Sequence, residues 1–312
     1  MSGDIGKVHF IGAGPGDSEL LTVKAKRLIE NADVIFHDSL VGDGVLDWIP
    51  ESVEIHNVGK KTGGERTPQD HINRMMATEA TNGKQVVHLK GGDPNGFGRG
   101  GEETECLTSE GVVFEVILRI SSAVAAPGVA GIPVTHREHS SSFTVVTGHE
   151  DPTKDKSALD WDSLASNVET GGTLVILMGV RRLPDNVGAL IKSGVDDDTP
   201  TVIAQKATWN DEFTVTGTLN NITEKARNGG IDSPAVTVVG DVFDVHKNVA
   251  DWLGGTGSSA MEETIEPRRR EALREHCRGE DTDSREGSVV DTGHSDTDYG
   301  IVTVRHAEVL DP

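Results

Sequence analysis

The chain has 312 residues, 35% hydrophobic and 26% charged, enough for one large or two ordinary α/β domains and too many for a mini-protein. Asp and Glu number 51 against 29 Lys and Arg, a formal charge of -22, which excludes a general nucleic-acid face because phosphate binding needs a basic one. No stretch approaches the ~20 apolar residues that cross a bilayer, so no integral membrane segment is expected.

Short β-type runs alternate with helical ones, a pattern that predicts parallel sheets covered by helices. Residues 8–11 (VHFI) read as a buried strand that breaks at Gly12-Ala13-Gly14-Pro15-Gly16. Leu21, Ala25, Leu28 and Ile29 then recur at helical spacing, with Asp17 or Ser18 as cap. Strands follow at 34–36 and 53–58. Thr67-Pro68-Gln69-Asp70 predicts a helix start of capping-box type with proline in the first turn. That helix buries Ile72, Met75 and Met76 and stops at Asn82-Gly83. A strand at 86–89 runs into a glycine-dense loop, 91–101, then a short helix and an apolar strand at 112–118. The first domain is expected to end there, as 1–119.

Small residues dominate 121–131, where a close-packed segment or a bend at Pro127 is expected. A second α/β series has strands at 143–146, 173–178, 201–203 and 235–239, with helices at 183–192 and 222–228 closing before glycine. It forms the second expected domain, 120–253. Residues 254–312, rich in Gly, Ser, Asp, Glu and Arg, carry too little apolar surface to offset chain entropy. They are expected to be a mostly disordered acidic tail, with 301–304 as one candidate late strand.

Cys106 and Cys277 are the two cysteines, far apart and without CxxC spacing, so neither a disulfide framework nor a thiolate metal site is expected and no metal is called for. The apolar run at 8–11 is too short for a signal-peptide core. Both observations fit a reducing cytoplasm. Acids spread along the chain, with 13 Lys and one Tyr, suit a halophilic protein, in which salt screens self-repulsion.

Two segments carry chemistry. The Gly12 to Asp17 turn sits between strand and helix, where main-chain amides and the helix dipole meet anions. It fails the GxGxxG dinucleotide template, because the third glycine comes one place early and Pro15 lacks an amide donor. No GxxxxGK[ST] occurs. Residues 89–103 (LKGGDPNGFGRGGEE) contain six glycines, with Asp93 and Arg99 as buried-loop candidates in a loop open enough for a ligand to approach main chain. Both loops follow strands, so they are expected to open on one crevice at the carboxyl ends of a sheet.

Together GAGPGDSELLT (12–22), VHLKGGDPNGFGRGGEE (87–103) and AGIPVTHR (130–137) resemble the tetrapyrrole methylases, most closely those acting on uroporphyrinogen III, in register from about residue 7 to 253. The resemblance implies two α/β domains with a cleft between them, a homodimer, and methyl transfer from S-adenosylmethionine with release of S-adenosylhomocysteine. It places Pro15, Gly91, Gly92, Asp93, Gly96, Ser121, Ser122, Met178 and Ala207 at the methyl donor. Asp38 aligns with a proton acceptor and Lys60 with a proton donor. Without the resemblance, Asp38 reads as a turn cap, Lys60 as a solvated charge, Met178 as strand core and Asp93 as a turn former competing with a ligand role.

The implied reaction is double C-methylation of uroporphyrinogen III to precorrin-2, at the entry to sirohaem and cobalamin. Its small-molecule substrate is a polyanion, and the cations expected to meet it are Arg99, His136 and Arg137, then Arg181 and Arg182. Alternatives are a methylase of a later precorrin and a non-catalytic sensor of donor or tetrapyrrole. Three positions depart from the family pattern: Leu118-Arg119 replaces Pro-Gly, Asn95-Gly96 replaces bulkier residues, and His37 replaces tyrosine. Arg at 119 is expected to cost roughly 1 kcal/mol if its backbone needs positive φ.

Overall fold

The computed structural model describes residues 6–59, 67–150 and 157–243. Its first half alternates strand and helix: β1 (Lys7–Gly12), α1 (Val23–Glu30), β2 (Val34–His37), α2 (Asp43–Leu46), β3 (Glu54–Asn57), α3 (Gln69–Thr81), β4 (Gln85–Lys90), α4 (Gly100–Ser109) and β5 (Val113–Ile117). The five strands make one parallel sheet in the order β3-β2-β4-β1-β5. Successive side chains face opposite sides. Val8, Phe10, Val34, Phe36 and Val86 pack with Met76 and Leu107 on one side, and Ile11, Ile35, Val87 and Leu89 with Ala25 and Ile29 on the other. Burial on both faces is why these strands read as continuous apolar runs.

Two helix starts differ from expectation. Thr22, rather than Asp17 or Ser18, caps α1, its Oγ1 accepting from the Ala25 amide at 3.1 Å. Asp17 instead caps a single 3₁₀ turn, Ser18–Leu20, through the Glu19 amide. The capping box at Thr67 does not form: Pro68 is the N-cap of α3 with no side-chain cap, and Asp70, which would complete the box, pairs with Arg74.

The second half contains α5 (Ser122–Val129), β6 (Phe143–Thr147), α6 (Trp161–Glu169), β7 (Thr173–Leu177), α7 (Leu183–Lys192), β8 (Pro200–Gln205), β9 (Phe213–Thr218), α8 (Leu219–Asn228) and β10 (Ala235–Val239). Its sheet runs β6-β7-β10-β8-β9. Only β6 and β7 are parallel; the other three pairings are antiparallel. The expectation of parallel sheets therefore holds for the first sheet and fails for the second, where β9 turns straight back along β8. Helix α5 runs on through Pro127 and packs Ala123 and Ala126 against Val175, Val202, Ala204 and Val236. Among the described residues no helix is long and apolar enough to cross a membrane. Lys60, the tail expected over 254–312 and its candidate strand lie outside the described residues.

Candidate active site

The roots of the two glycine loops are tied together where β1 and β4 end side by side, the Ala13 amide donating to the Lys90 carbonyl at 2.8 Å. Opposite them, the β8–β9 connection reaches over from the second sheet. Trp209 donates its indole N–H to the Pro15 carbonyl at 2.8 Å, and the Asp17 amide donates to Thr208 Oγ1 at 3.0 Å. Gly16 makes this approach possible, since a Cβ there would lie 1.9 Å from Trp209 Nε1.

The second loop is shaped by its own side chains. Asp93 Oδ1 accepts from the amides of Asn95 (2.8 Å) and Gly96 (3.1 Å), leaving Oδ2 without a hydrogen bond among the described residues. At the loop's base a buried ion pair joins Lys90 Nζ to Glu103 Oε1 at 2.6 Å, and Gln69 Nε2 donates to the same oxygen at 2.8 Å. Burial pushes the Glu103 carboxyl above its ordinary range against the pull of Lys90 and Gln69. Burial, then the charges of Lys90 and His37, holds the neighbouring His88 well below the usual imidazole range, so it is neutral.

Between these elements lies a cavity of about 330 Å³. All nine residues expected at the methyl donor line it: Pro15, Gly91, Gly92, Asp93, Gly96, Ser121, Ser122, Met178 and Ala207. Met178 is half exposed with φ 57°, so the strand-core reading of it fails. Non-glycine residues with positive φ among those described are Phe97, Arg99, Met178, Lys206 and Thr208. Three of these, Phe97, Met178 and Lys206, are on the cavity wall, where backbone strain concentrates at functional sites.

Asp38 is half-buried just behind the wall. Its two carboxylate oxygens accept from the amides of Leu40 (2.8 Å) and Gly91 (2.6 Å), both wall residues. Gly91 is required at this contact, because a Cβ there would be 2.8 Å from Asp38 Oδ1 and 2.3 Å from Leu40 Cβ. Arg99, expected in a buried loop, is exposed: it is the left-handed residue that starts α4, and its guanidinium turns outward to Glu102 at 2.6 Å. Arg99, His136 and Arg137 stand outside the cavity lining, whereas Arg181 lines it and Arg182 does not. His136 belongs to a turn closed by paired backbone bonds with Ser140, its ring 4.8 Å from that of His139. Arg119 is not among the positive-φ residues, so the backbone penalty expected there does not arise.

The family model described as Tetrapyrrole (Corrin/Porphyrin) Methylases matches residues 7–223. The chain belongs to the tetrapyrrole methylases. It is 52% identical over 255 residues to the S-adenosyl-L-methionine-dependent uroporphyrinogen III methyltransferase of Methanosarcina barkeri, covering 82% of this chain and 99% of that one. Identity to the uroporphyrinogen-III C-methyltransferase of Priestia megaterium is 44% over 240 residues, 77% of this chain and 99% of the relative. A solved tetrapyrrole methylase, uroporphyrin-III C-methyl transferase from Thermus thermophilus complexed with S-adenyl homocysteine, superposes with TM-score 0.64 at 36% identity, covering 77% of this chain and all of that one.

Sequence reasoning missed several groups of this tetrapyrrole methylase site. Lys206 and Trp209 flank Ala207 on the wall; Arg119, singled out in the sequence only as a departure from the family pattern, packs its side chain over Gly12. Trp209 carried a usable signal, being a large amphipathic ring in an otherwise polar stretch. The left-handed turns at Lys206 and Thr208 carry none, since no glycine marks them.

Proposed function

We propose that this tetrapyrrole methylase is an S-adenosylmethionine-dependent uroporphyrinogen-III C-methyltransferase, adding two methyl groups to give precorrin-2 and releasing S-adenosylhomocysteine each time. The observation that carries this reading is one cavity of about 330 Å³ into which both glycine loops and the α5 face of the second sheet open. Its size falls in the range of small-ligand pockets, ~300–1,000 Å³.

The wall suits the donor's chemistry. Asp93 Oδ2 is left to accept from an ammonium or a ribose hydroxyl, main-chain groups at Ala207 offer donors and acceptors to adenine, and Met178 is a polarizable neighbour for sulfur. Pro15, Gly91, Gly92 and Gly96 let a ligand meet backbone, and Ser121 and Ser122 add hydroxyls at the start of α5. When bound, S-adenosylmethionine supplies an electrophilic methyl group. The protein's part is to hold an electron-rich pyrrole carbon in line with it. Asp38, oriented by two amides, accepts the proton the methylated ring must lose, with Lys60 as donor, together worth ~10² to 10⁴ in rate. Arg181 meets substrate carboxylates at the wall, and Arg99, His136 and Arg137 meet those extending past it.

We further read the protein as a cytoplasmic homodimer adapted to high salt. The charge of -22 supports the adaptation to high salt, since a polyanionic substrate needs its repulsion screened. The exposed apolar side chains of Leu118, Ile120, Val124 and Val129 supply a surface for a second copy. Incubation with uroporphyrinogen III and S-adenosylmethionine in molar KCl should give a product heavier by two methyl groups. Absence of methylated product at every salt concentration overturns the reading, and a monomer by light scattering overturns the dimer.

A further inference from the structure

Arg119 lies two residues beyond β5 and folds back over the end of β1. A Cβ placed on Gly12 would be 1.8 Å from Arg119 Cδ and 2.5 Å from its Nε, so the arginine stem occupies the space above that glycine. The guanidinium extends toward the Gly92 turn, where its NH2 atom is 4.0 Å from the Cβ position of Gly92. It therefore sits between the two glycine loops, two residues before Ser121 of the cavity wall.

All three guanidinium nitrogens are buried, and none has a hydrogen-bond partner among the described residues. Burial lowers the group from the usual guanidinium range to about 10, with the carboxylates of Asp93 and Asp38 opposing the shift without bonding to it. A guanidinium presents five N–H donors in a planar fork, and burying them unpaired is costly unless a ligand completes them. Arg119 lies behind the lining of the cavity, and the cations that do line it are differently placed: Lys206 pairs with Asp211, and Arg181 is exposed.

Resting on the function proposed above, we infer that Arg119 is a carboxylate-binding residue of this site, its fork receiving a ligand carboxylate between the two glycine loops. Such a fork matches a carboxylate bidentately. Both ligands carry that group, the donor on its methionine portion and the macrocycle on its side chains.

The test compares wild type with Arg119→Met, which keeps the stem over Gly12 and removes the fork, and with Arg119→Lys, which keeps the charge alone. Calorimetry reads the affinity for S-adenosylhomocysteine and for its decarboxylated analogue, and steady-state assays read KM and kcat for uroporphyrinogen III. If the donor's carboxylate is held, R119M weakens S-adenosylhomocysteine about tenfold or more and leaves the decarboxylated analogue unchanged. If the macrocycle's is held, donor affinity stays put and KM rises by a similar factor with kcat largely kept. R119K should fall between wild type and R119M in either arm, and it alone carries the comparison if R119M does not fold. Both affinities and KM within about twofold of wild type overturn the inference. Wild type that binds S-adenosylhomocysteine but never methylates uroporphyrinogen III overturns the proposed function instead, and the calorimetric arm still decides Arg119.

Discussion

The indole N–H of Trp209 is bonded to the carbonyl of Pro15 at 2.8 Å, 194 positions apart in sequence. This contact joins the β8–β9 connection to the first glycine turn, and the cavity lies between the elements it joins. Trp209→Phe keeps the ring over Gly16 but leaves the carbonyl unpartnered, at about 1 kcal/mol. Affinity for S-adenosylhomocysteine should fall severalfold and the urea midpoint slightly. Gly16→Ala, which drives a methyl into the ring, should do more on both counts. Unchanged binding in both variants would show that the contact does not shape the site.

The two carboxylate oxygens of Asp93 can be tested separately. Oδ1 holds the turn through Asn95 and Gly96, and Oδ2 is the oxygen proposed above to accept from the donor ligand. Asp93→Asn preserves an oxygen for the turn and removes the charge, so it should weaken S-adenosylhomocysteine about tenfold with little change in stability. Asp93→Ala should lose both binding and some stability. Wild-type affinity in the asparagine variant would reduce Asp93 to a turn former.

Asp38 offers a sharper separation of chemistry from binding. Two amides face its two oxygens, so asparagine must set an NH₂ against one of them, and alanine is the cleaner probe. Asp38→Ala should cut kcat by ~10² or more while S-adenosylhomocysteine affinity stays within a few fold. An unaltered kcat would remove Asp38 from proton transfer.

Much of this arrangement was legible from sequence because the relevant signals were local. Strands β1, β2 and β4 are buried on both faces and announce themselves as apolar runs, and the glycine loops follow them directly. Strand β9 was not legible: FTVTGT lies on an edge with Phe213 exposed, so burial leaves little pattern. Helix α5 is built of small residues around Pro127 and presents no amphipathic stripe. The first cap of α1 was misplaced because Asp17, a better cap by type than Thr22, was spent on a preceding 3₁₀ turn. At the site, the nine wall residues came from motif alignment, whereas the Trp209 clasp and the place of Arg119 depend on which distant segments meet.

Acid stability should depend on Glu115, which links the edge of the first sheet to Lys7, His9 and Lys24. Burial alone would raise its carboxyl, but hydrogen bonds from Lys24, His9 and Lys7 outweigh it and hold the group at about 2 against an ordinary 4.5. A folded value below the unfolded one means the stabilisation is present above 4.5 and is lost as pH falls toward 2. Glu115→Gln should therefore be less stable than wild type near neutrality, and the gap should narrow on acidification. A gap that stays constant from about pH 7 to pH 3 would show that Glu115 does not titrate with folding.

The Lys90–Glu103 pair beneath the second loop gives the opposite pH signature. Glu103 is fully buried, so Lys90→Met strands a carboxylate and should cost about 3–5 kcal/mol. Adding Glu103→Gln removes the charge and should recover much of that loss. Burial already holds the Glu103 carboxyl above its ordinary range, and removing Lys90 raises it further. A group whose folded pKa exceeds its unfolded value takes up a proton on folding, so stability returns as pH is lowered. The urea midpoint of K90M should thus approach that of K90M/E103Q between about pH 8 and pH 5, a difference in which other titrating groups cancel. Midpoints that run parallel over that interval would mean the Glu103 carboxyl finds water or another partner when Lys90 is gone, and the pair would then not be what fixes the base of the loop.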